Sequence, residues 1–436
     1  MTSTSPDQTP LAIALRAAQE HVRQGRADLA ERAYQDILQS WPRQVEALNF
    51  IAMRLLRGGQ QERALGMLRE ALEAQPDNPQ THHLFGLALA QTDQYVAAAE
   101  ALGHALEFAP KFAVAHLHLG QVQEHLGQDF EALTSYARAL NIAQPQGYWL
   151  GEASTPPGLR ELVRHAIDTA CEGRRRLFDG ALQPLRAQYG SEALKRVEQV
   201  LAIQTGEAQP QYADPRQKPQ FLLFPGLPAQ PFFNCKLFPW LEAMEAHHSE
   251  IRDELLSVLE AGAGFQPFLE LSKGANEADY LGSSDGKPTW DAFFFYRHGV
   301  RFERNFQRCA RTAAAIETLP LVRIREHGPE ICFSILTPGT HILPHRGVTN
   351  TRLVAHLPLV VPEGCALRVG GVEHHWREGQ CVVFDDTFEH EAWNRGPSTR
   401  AVLIFDIWNP YLSEPERAAV TELVGAIGDF NRACWG

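Results

Sequence analysis

Two histidines stand 45 residues apart in the last quarter of the chain, His345 in PHRGVTN and His390 in DDTFEHEAWN. Each borders an apolar stretch, and loop histidines at the mouth of a barrel can converge on a metal ion. With eighteen histidines in the chain, an accidental pair is the alternative. The residue two after His345 is Gly347, where an iron site of two His and one carboxylate would place its acid. Arg400 suggests a second kind of chemistry. In TRAVLIFDIW a period of two puts it on one face with Val402, Ile404 and Asp406, aimed at an apolar interior. A buried guanidinium needs an anion. The candidates are a structural carboxylate, Asp406 or Asp386, and the carboxylate of a bound small acid held bidentately. Arg352, Val354 and His356 share a face of TRLVAHLPL by the same count.

Runs at 330–336, 351–361, 365–371, 379–384 and 399–408, separated by Pro, Gly and Asp-rich turns, predict an antiparallel sandwich or barrel of the jelly-roll kind. Both histidines fall outside these runs and are expected in loops. Gly339 and two prolines exclude a helical His341/His345 pair, and His374 and His375 would point to opposite faces of a strand. Ahead of this domain a strand is expected near 221 and a helix over about 239–260.

The first third is repetitive. Pro42, Pro76 and Pro110 recur every 34 residues, in phase with Ala30, Ala64, Ala98 and Ala132 and with Ile37, Ala71, Ala105 and Ala139. Ala52, Gly86 and Gly120 keep a small site in the first helix of each unit. This pattern resembles the tetratricopeptide repeat, in four units over 11–145, and such arrays form concave solenoids that hold peptides or proteins. Residues 1–10 read as disordered, 146–205 as a helical cap or connector, 206–220 as a linker and 221–436 as the β-rich domain. The fold class is therefore multidomain α + β, a solenoid followed by a jelly roll.

A net charge of −12 argues against nucleic-acid and anionic-membrane partners. The seven cysteines show no CxxC spacing and read as free thiols, and no window approaches the ~20 apolar residues of a membrane span. With no signal-peptide pattern at MTSTSPDQTP, a cytoplasmic location is expected.

The run from Phe333 to Pro410, with PGTHILPHRGVTN and FDDTFEHEAWN, resembles the aspartyl/asparaginyl β-hydroxylase family. The resemblance implies a double-stranded β-helix using Fe(II), 2-oxoglutarate and O2 to hydroxylate an Asp, Asn or similar side chain, with release of succinate and CO2. It implies His345 and His390 as iron ligands, Gly347 in place of the usual acid, Ser334 and His356 as contacts of 2-oxoglutarate, and Arg400 as the clamp on its distal carboxylate. Asp386 is expected either to orient a water in the position Gly347 leaves open or to cap a turn. The family commonly carries Arg two residues before the His356 equivalent. Here that residue is Val354, so Arg352 is expected to take its substrate-holding role or to form a rim salt bridge. A protein or peptide substrate delivered by the repeats is the leading expectation. The alternatives are a free amino acid or lipid acyl substrate, halogenation, and an inactive repeat scaffold.

Overall fold

The computed structural model describes residues 9–270, 276–283 and 288–435. They divide into two compact units, one running up to Arg174 and including the residues from Phe430 on, the other Arg175–Asp429. The expectation of disorder at 1–10 lies mostly outside the described residues; the first helix begins at Pro10.

In the first unit, α1 (Pro10–Arg23), α2 (Ala27–Ser40), α3 (Val45–Arg57), α4 (Gln61–Ala74), α5 (Pro79–Ala90), α6 (Tyr95–Phe108), α7 (Ala113–His125) and α8 (Asp129–Ala143) form four helical pairs. The phased alanines Ala30, Ala64, Ala98 and Ala132 are fully buried. A Cβ at Gly86 would lie 2.7 Å from Leu102 Cγ, and one at Gly120 2.6 Å from Tyr136 Cδ1, so the small residues set how closely paired helices approach. Helix α9 (Arg160–Tyr189) packs Val163 and Ala166 against Leu117, Tyr136 and Leu140. Among the described residues no helix is long and apolar enough to cross a membrane, and all seven cysteines are unpaired.

The second unit is built on eight strands: β1 (Ile331–Leu336), β2 (Thr340–His345), β3 (Arg352–Val360), β4 (Cys365–Val369), β5 (Val372–His374), β6 (Val382–Phe384), β7 (His390–Asn394) and β8 (Arg400–Trp408). One antiparallel sheet runs β6-β3-β8-β1 and continues into the strand Trp290–Arg297; the other runs β5-β4-β7-β2. This alternation of the chain between two sheets is the winding of a double-stranded β-helix. The period-two faces match the packing. Val354, Val402 and Ile404 join Ile342, Leu367 and Phe384 between the sheets. Leu353, Ala355, Leu403 and Phe405 cover the outer face, against Leu241 and Met244 of one helix and Ile251 and Leu255 of the next.

Three expectations need correction. The helix over 239–260 is broken at His247 into Leu241–Ala246 and His248–Ala261. The stretch directly after 221 forms no strand; Leu222 makes a single bridge to Thr349, and the short strand Phe232–Phe233 that follows pairs with Phe384 and Val383. The stretch 206–220 is irregular, but its second half is fastened to the barrel. Gln217 is buried and its Nε2 donates to Asp385 Oδ2 at 2.6 Å, while the Gln220 and Phe221 amides donate to the Gly347 and Val348 carbonyls at 3.1 and 2.9 Å. Glutamine and charge made this segment look solvated. The backbone carbonyls of Gly347 and Val348 instead take their partners from it.

Candidate active site

The two histidines lie in strands, not loops. His345 ends β2, His390 opens β7, and they are cross-strand partners. The register slips between His390 and Ala392, so that β2 carries one residue more than β7 opposite it. Pro344, which cannot donate to a ladder, sits in that bulge. A proline and a charged HEAWN conceal both strands from a propensity reading, while the bulge brings the two imidazoles together.

Their ring centroids are 4.1 Å apart. His345 Nδ1 donates to the Leu343 carbonyl at 2.8 Å and His390 Nδ1 to the Phe388 carbonyl at 3.1 Å. The carbonyls fix the Nδ1–H tautomer and leave each Nε2 lone pair free. Burial lowers the pKa of His345; burial and the neighbouring His345 push His390 down to about 3. Both rings are neutral donors at neutral pH. Among the described residues no three His, Cys, Asp or Glu side chains form a metal-holding group, so the imidazoles stand as a pair.

Arg400 opens β8 and is 2% exposed. It has no carboxylate partner among the described residues. Its Nη1 donates to the carbonyl and Oγ of Ser334 at 3.3 Å, its Nε has no partner, and its guanidinium lies 5.0 Å from the Trp376 ring. Burial lowers its pKa to about 10. His356, packed edge-on against Phe384, has a buried Nδ1 without a partner, and burial beside Arg400 and His390 drives its pKa far down. Ser334 Oγ also accepts from Trp290 Nε1 at 2.9 Å.

The structural carboxylates considered for Arg400 are engaged elsewhere. Arg352 donates from Nη1 to Asp406 Oδ1 at 2.5 Å and from Nη2 to Asp386 Oδ2 at 3.1 Å. Arg352 is thus an interior tie between two acids, and the ion pairs hold it protonated. Asp386 is buried with Oδ1 unpartnered, and burial raises its pKa to about 7 against the pull of Arg352. Its carboxyl group fills the space that a side chain at 347 would need, since a Cβ there would collide with it. The Gly347 amide donates to the Asp386 carbonyl at 2.6 Å, which joins the two loops.

The two histidines, Ser334, His356, Arg400, Arg352, Asp386 and Gly347 line one cavity of about 600 Å³, together with Val354 and the aromatic pair Phe268 and Trp290, stacked at 3.9 Å. Sequence reasoning missed Trp290, Trp376 and Gln217. It also missed Asn350, whose amide pairs with both backbone groups of Phe224 at 2.7 and 2.9 Å. Buried side-chain amides inside PHRGVTN and FDDTFEHEAWN are the one signal that could have pointed to such loop-holding roles.

Residues 245–410 match the family model of aspartyl/asparaginyl beta-hydroxylase, and residues 15–79 that of the tetratricopeptide repeat. The chain is 35% identical over 199 residues to human aspartyl/asparaginyl beta-hydroxylase, covering 45% of this chain and 25% of that protein. It is 36% identical over 190 residues to the ornithine lipid ester-linked acyl 2-hydroxylase of Rhizobium tropici, covering 43% of this chain and 63% of that protein. A crystal structure of MamA is similar with a TM-score of 0.27 and 22% identity, covering 36% of this chain and 92% of that one.

Proposed function

We propose that this chain, which carries a domain of the aspartyl/asparaginyl β-hydroxylase family behind tetratricopeptide repeats, is an Fe(II)- and 2-oxoglutarate-dependent hydroxylase of a side chain in a protein or peptide. The observation that carries the reading is Arg400, a buried guanidinium without a carboxylate among the described residues, in the same cavity as two imidazoles whose Nδ1 atoms are taken by backbone carbonyls. The donor set fits the cofactors. His345 and His390 would hold the iron, Arg400 the distal carboxylate of 2-oxoglutarate, with Ser334 and His356 beside it. Bound together with O2, these groups supply the oxidant that converts a C–H to C–OH, releasing succinate and CO2.

The chain's own residues contribute position and shielding. The Leu343 and Phe388 carbonyls keep both imidazoles in the tautomer that offers Nε2. Ser334 holds the Arg400 guanidinium, Trp376 backs it, and apolar walls exclude water around it. Asp386, set against Gly347 and steadied by Arg352, fills the space that a side chain at 347 would take. That carboxylate in the Gly347 niche counts against halogenation, because a halide would meet a second negative charge there. The repeat array would hold the protein or peptide substrate. Hydroxylation of an acyl chain is the second reading, favoured by the name of the Rhizobium relative and by the apolar lining of Phe268, Leu269, Ile342 and Leu367.

The test is mass spectrometry of a lysate treated with the full chain, Fe(II) and 2-oxoglutarate. Peptides that gain one oxygen, and lose it with a chelator or with His345→Ala, support the reading. Absence of iron-dependent succinate with any peptide would favour an inactive scaffold.

A further inference from the structure

We propose that the outer wall of the cavity binds a cationic group of the substrate, an ammonium or guanidinium, against Glu330 and Asp386. The inference deepens the hydroxylase reading, and rests on it for calling the ligand a substrate.

Besides Arg400, two arginines line the cavity, and both already lie against carboxylates. Arg352 is tied to Asp386 and Asp406. Arg297 is only 8% exposed; its Nε lies 3.1 Å from Glu270 Oε1, its Nη2 donates to the Phe268 carbonyl at 2.9 Å, and its guanidinium covers the Phe294 ring at 4.4 Å. Val354, on the same face as Arg352, brings no charge.

The acids are in excess. Glu330, immediately before β1, accepts from the His298 amide at 3.0 Å on Oε2. The Nδ1 of His298 is 3.9 Å away, beyond hydrogen-bond reach. The Glu330 amide donates to Asp406 Oδ2 at 3.0 Å, so the Glu330 side chain lies beside an acid already spent on Arg352. His327, also in the wall, has its pKa lowered by burial and by His298, and stays uncharged at neutral pH. Independently of this acidic excess, Asp386 is 5% exposed, lines the cavity, and leaves Oδ1 buried without a partner.

The described lining thus carries five carboxylates, Glu270, Glu326, Glu330, Asp386 and Asp406, against three guanidiniums, Arg297, Arg352 and Arg400. Adding a substrate carboxylate beside Glu330 and Asp386 would bury a further like charge, whereas an ammonium or guanidinium supplies an opposite charge and N–H donors. Burial raises the Glu330 pKa to about 7, consistent with a carboxyl that ionises fully when a cation arrives. The cation can belong to the hydroxylated side chain, to a neighbouring basic residue or to a free amino group; the chemistry at the wall is the same.

The test is titration calorimetry on the full chain saturated with Mn(II) and 2-oxoglutarate under nitrogen, which occupies Arg400. The probes are propylguanidinium, propylammonium, propanamide and propanoate. Either cation is expected to bind at least about tenfold more tightly than propanoate, with propanamide between. Glu330→Gln is expected to weaken cation binding about fivefold or more, a Tm no lower than that of wild type showing that the fold is kept. Propanoate binding as tightly as the cations overturns the proposal, as does no cation binding or cation affinity indifferent to Glu330→Gln. If the variant does not fold, the wild-type ranking alone decides. Failure of the hydroxylase reading would look different: the cation preference would stand while no peptide gained oxygen.

Discussion

Two guanidiniums that line one cavity, Arg400 and Arg352, stand in opposite electrostatic states. Arg400 has a serine, an aromatic face and an orphaned Nε, but no carboxylate among the described residues. Arg352 is bonded to two acids. Both charges are costly to bury, and only the second is repaid within the fold. The difference separates a residue kept for a ligand from one that holds the architecture, although both lie on inward faces of neighbouring strands.

The comparison predicts effects of opposite sign, and the largest is at Arg352. Arg352→Met leaves Asp386 and Asp406 buried without their cation. We expect a loss of roughly 3–5 kcal/mol in chemical denaturation of the full chain. A stability change within experimental error would mean that the two acids are not held by Arg352.

Glu330 sharpens the contrast through pH. Its folded pKa of about 7 lies above the ordinary value of 4.5, so the contribution is fully present at low pH and is lost as pH rises from about 4.5 through 7. Glu330→Gln should remove that decline, leaving the variant more stable than wild type above pH 7 by about 2–3 kcal/mol. The buried histidines act in the opposite sense. His390, at about 3 when folded, costs stability as pH falls below the ordinary imidazole value toward 3. The Glu330 effect is therefore read from the difference between variant and wild type across pH, and parallel curves would contradict it.

Gly347→Ala tests the niche between the two regions. Its Cβ would strike the Asp386 carboxyl, so we expect a destabilisation of about 1–3 kcal/mol by thermal unfolding and a weaker hold on metal. Unchanged stability would mean that Asp386 can vacate that space freely. The smallest effect, opposite in sign to that of Arg352→Met, is Arg400→Met in the ligand-free protein. Removing an unpaired buried charge should leave stability unchanged or raise it by about 1 kcal/mol. A loss comparable to that of Arg352→Met would erase the distinction.

Much of this was legible in the sequence, for local reasons. The 34-residue phase of small residues marked the solenoid, because close helix packing requires them at Gly86 and Gly120. Strands β3 and β8 were visible from their apolar runs, and the period of two aimed Arg400 and His356 inward. Strands β2 and β7 were not visible, since Pro344 and the charges of HEAWN contradict strand propensity and the ladder between them is set by a distant partner. Nor could spacing decide which arginine meets Asp406. That follows from register, which puts Asp406 opposite Val354 and within reach of Arg352. Gln217 looked like linker because its partner, Asp385, is 168 residues away.

The central claim is that Arg400 is kept unpaired for the distal carboxylate of 2-oxoglutarate beside two metal-holding histidines. Its most direct test is titration of the full chain with 2-oxoglutarate, with and without Mn(II), under nitrogen. Binding should be strengthened by the metal in wild type and weakened at least about 100-fold by Arg400→Met, an ionic pair of this kind being worth several kcal/mol when broken. Equal affinity in wild type and Arg400→Met, or no binding by the wild type, would contradict it.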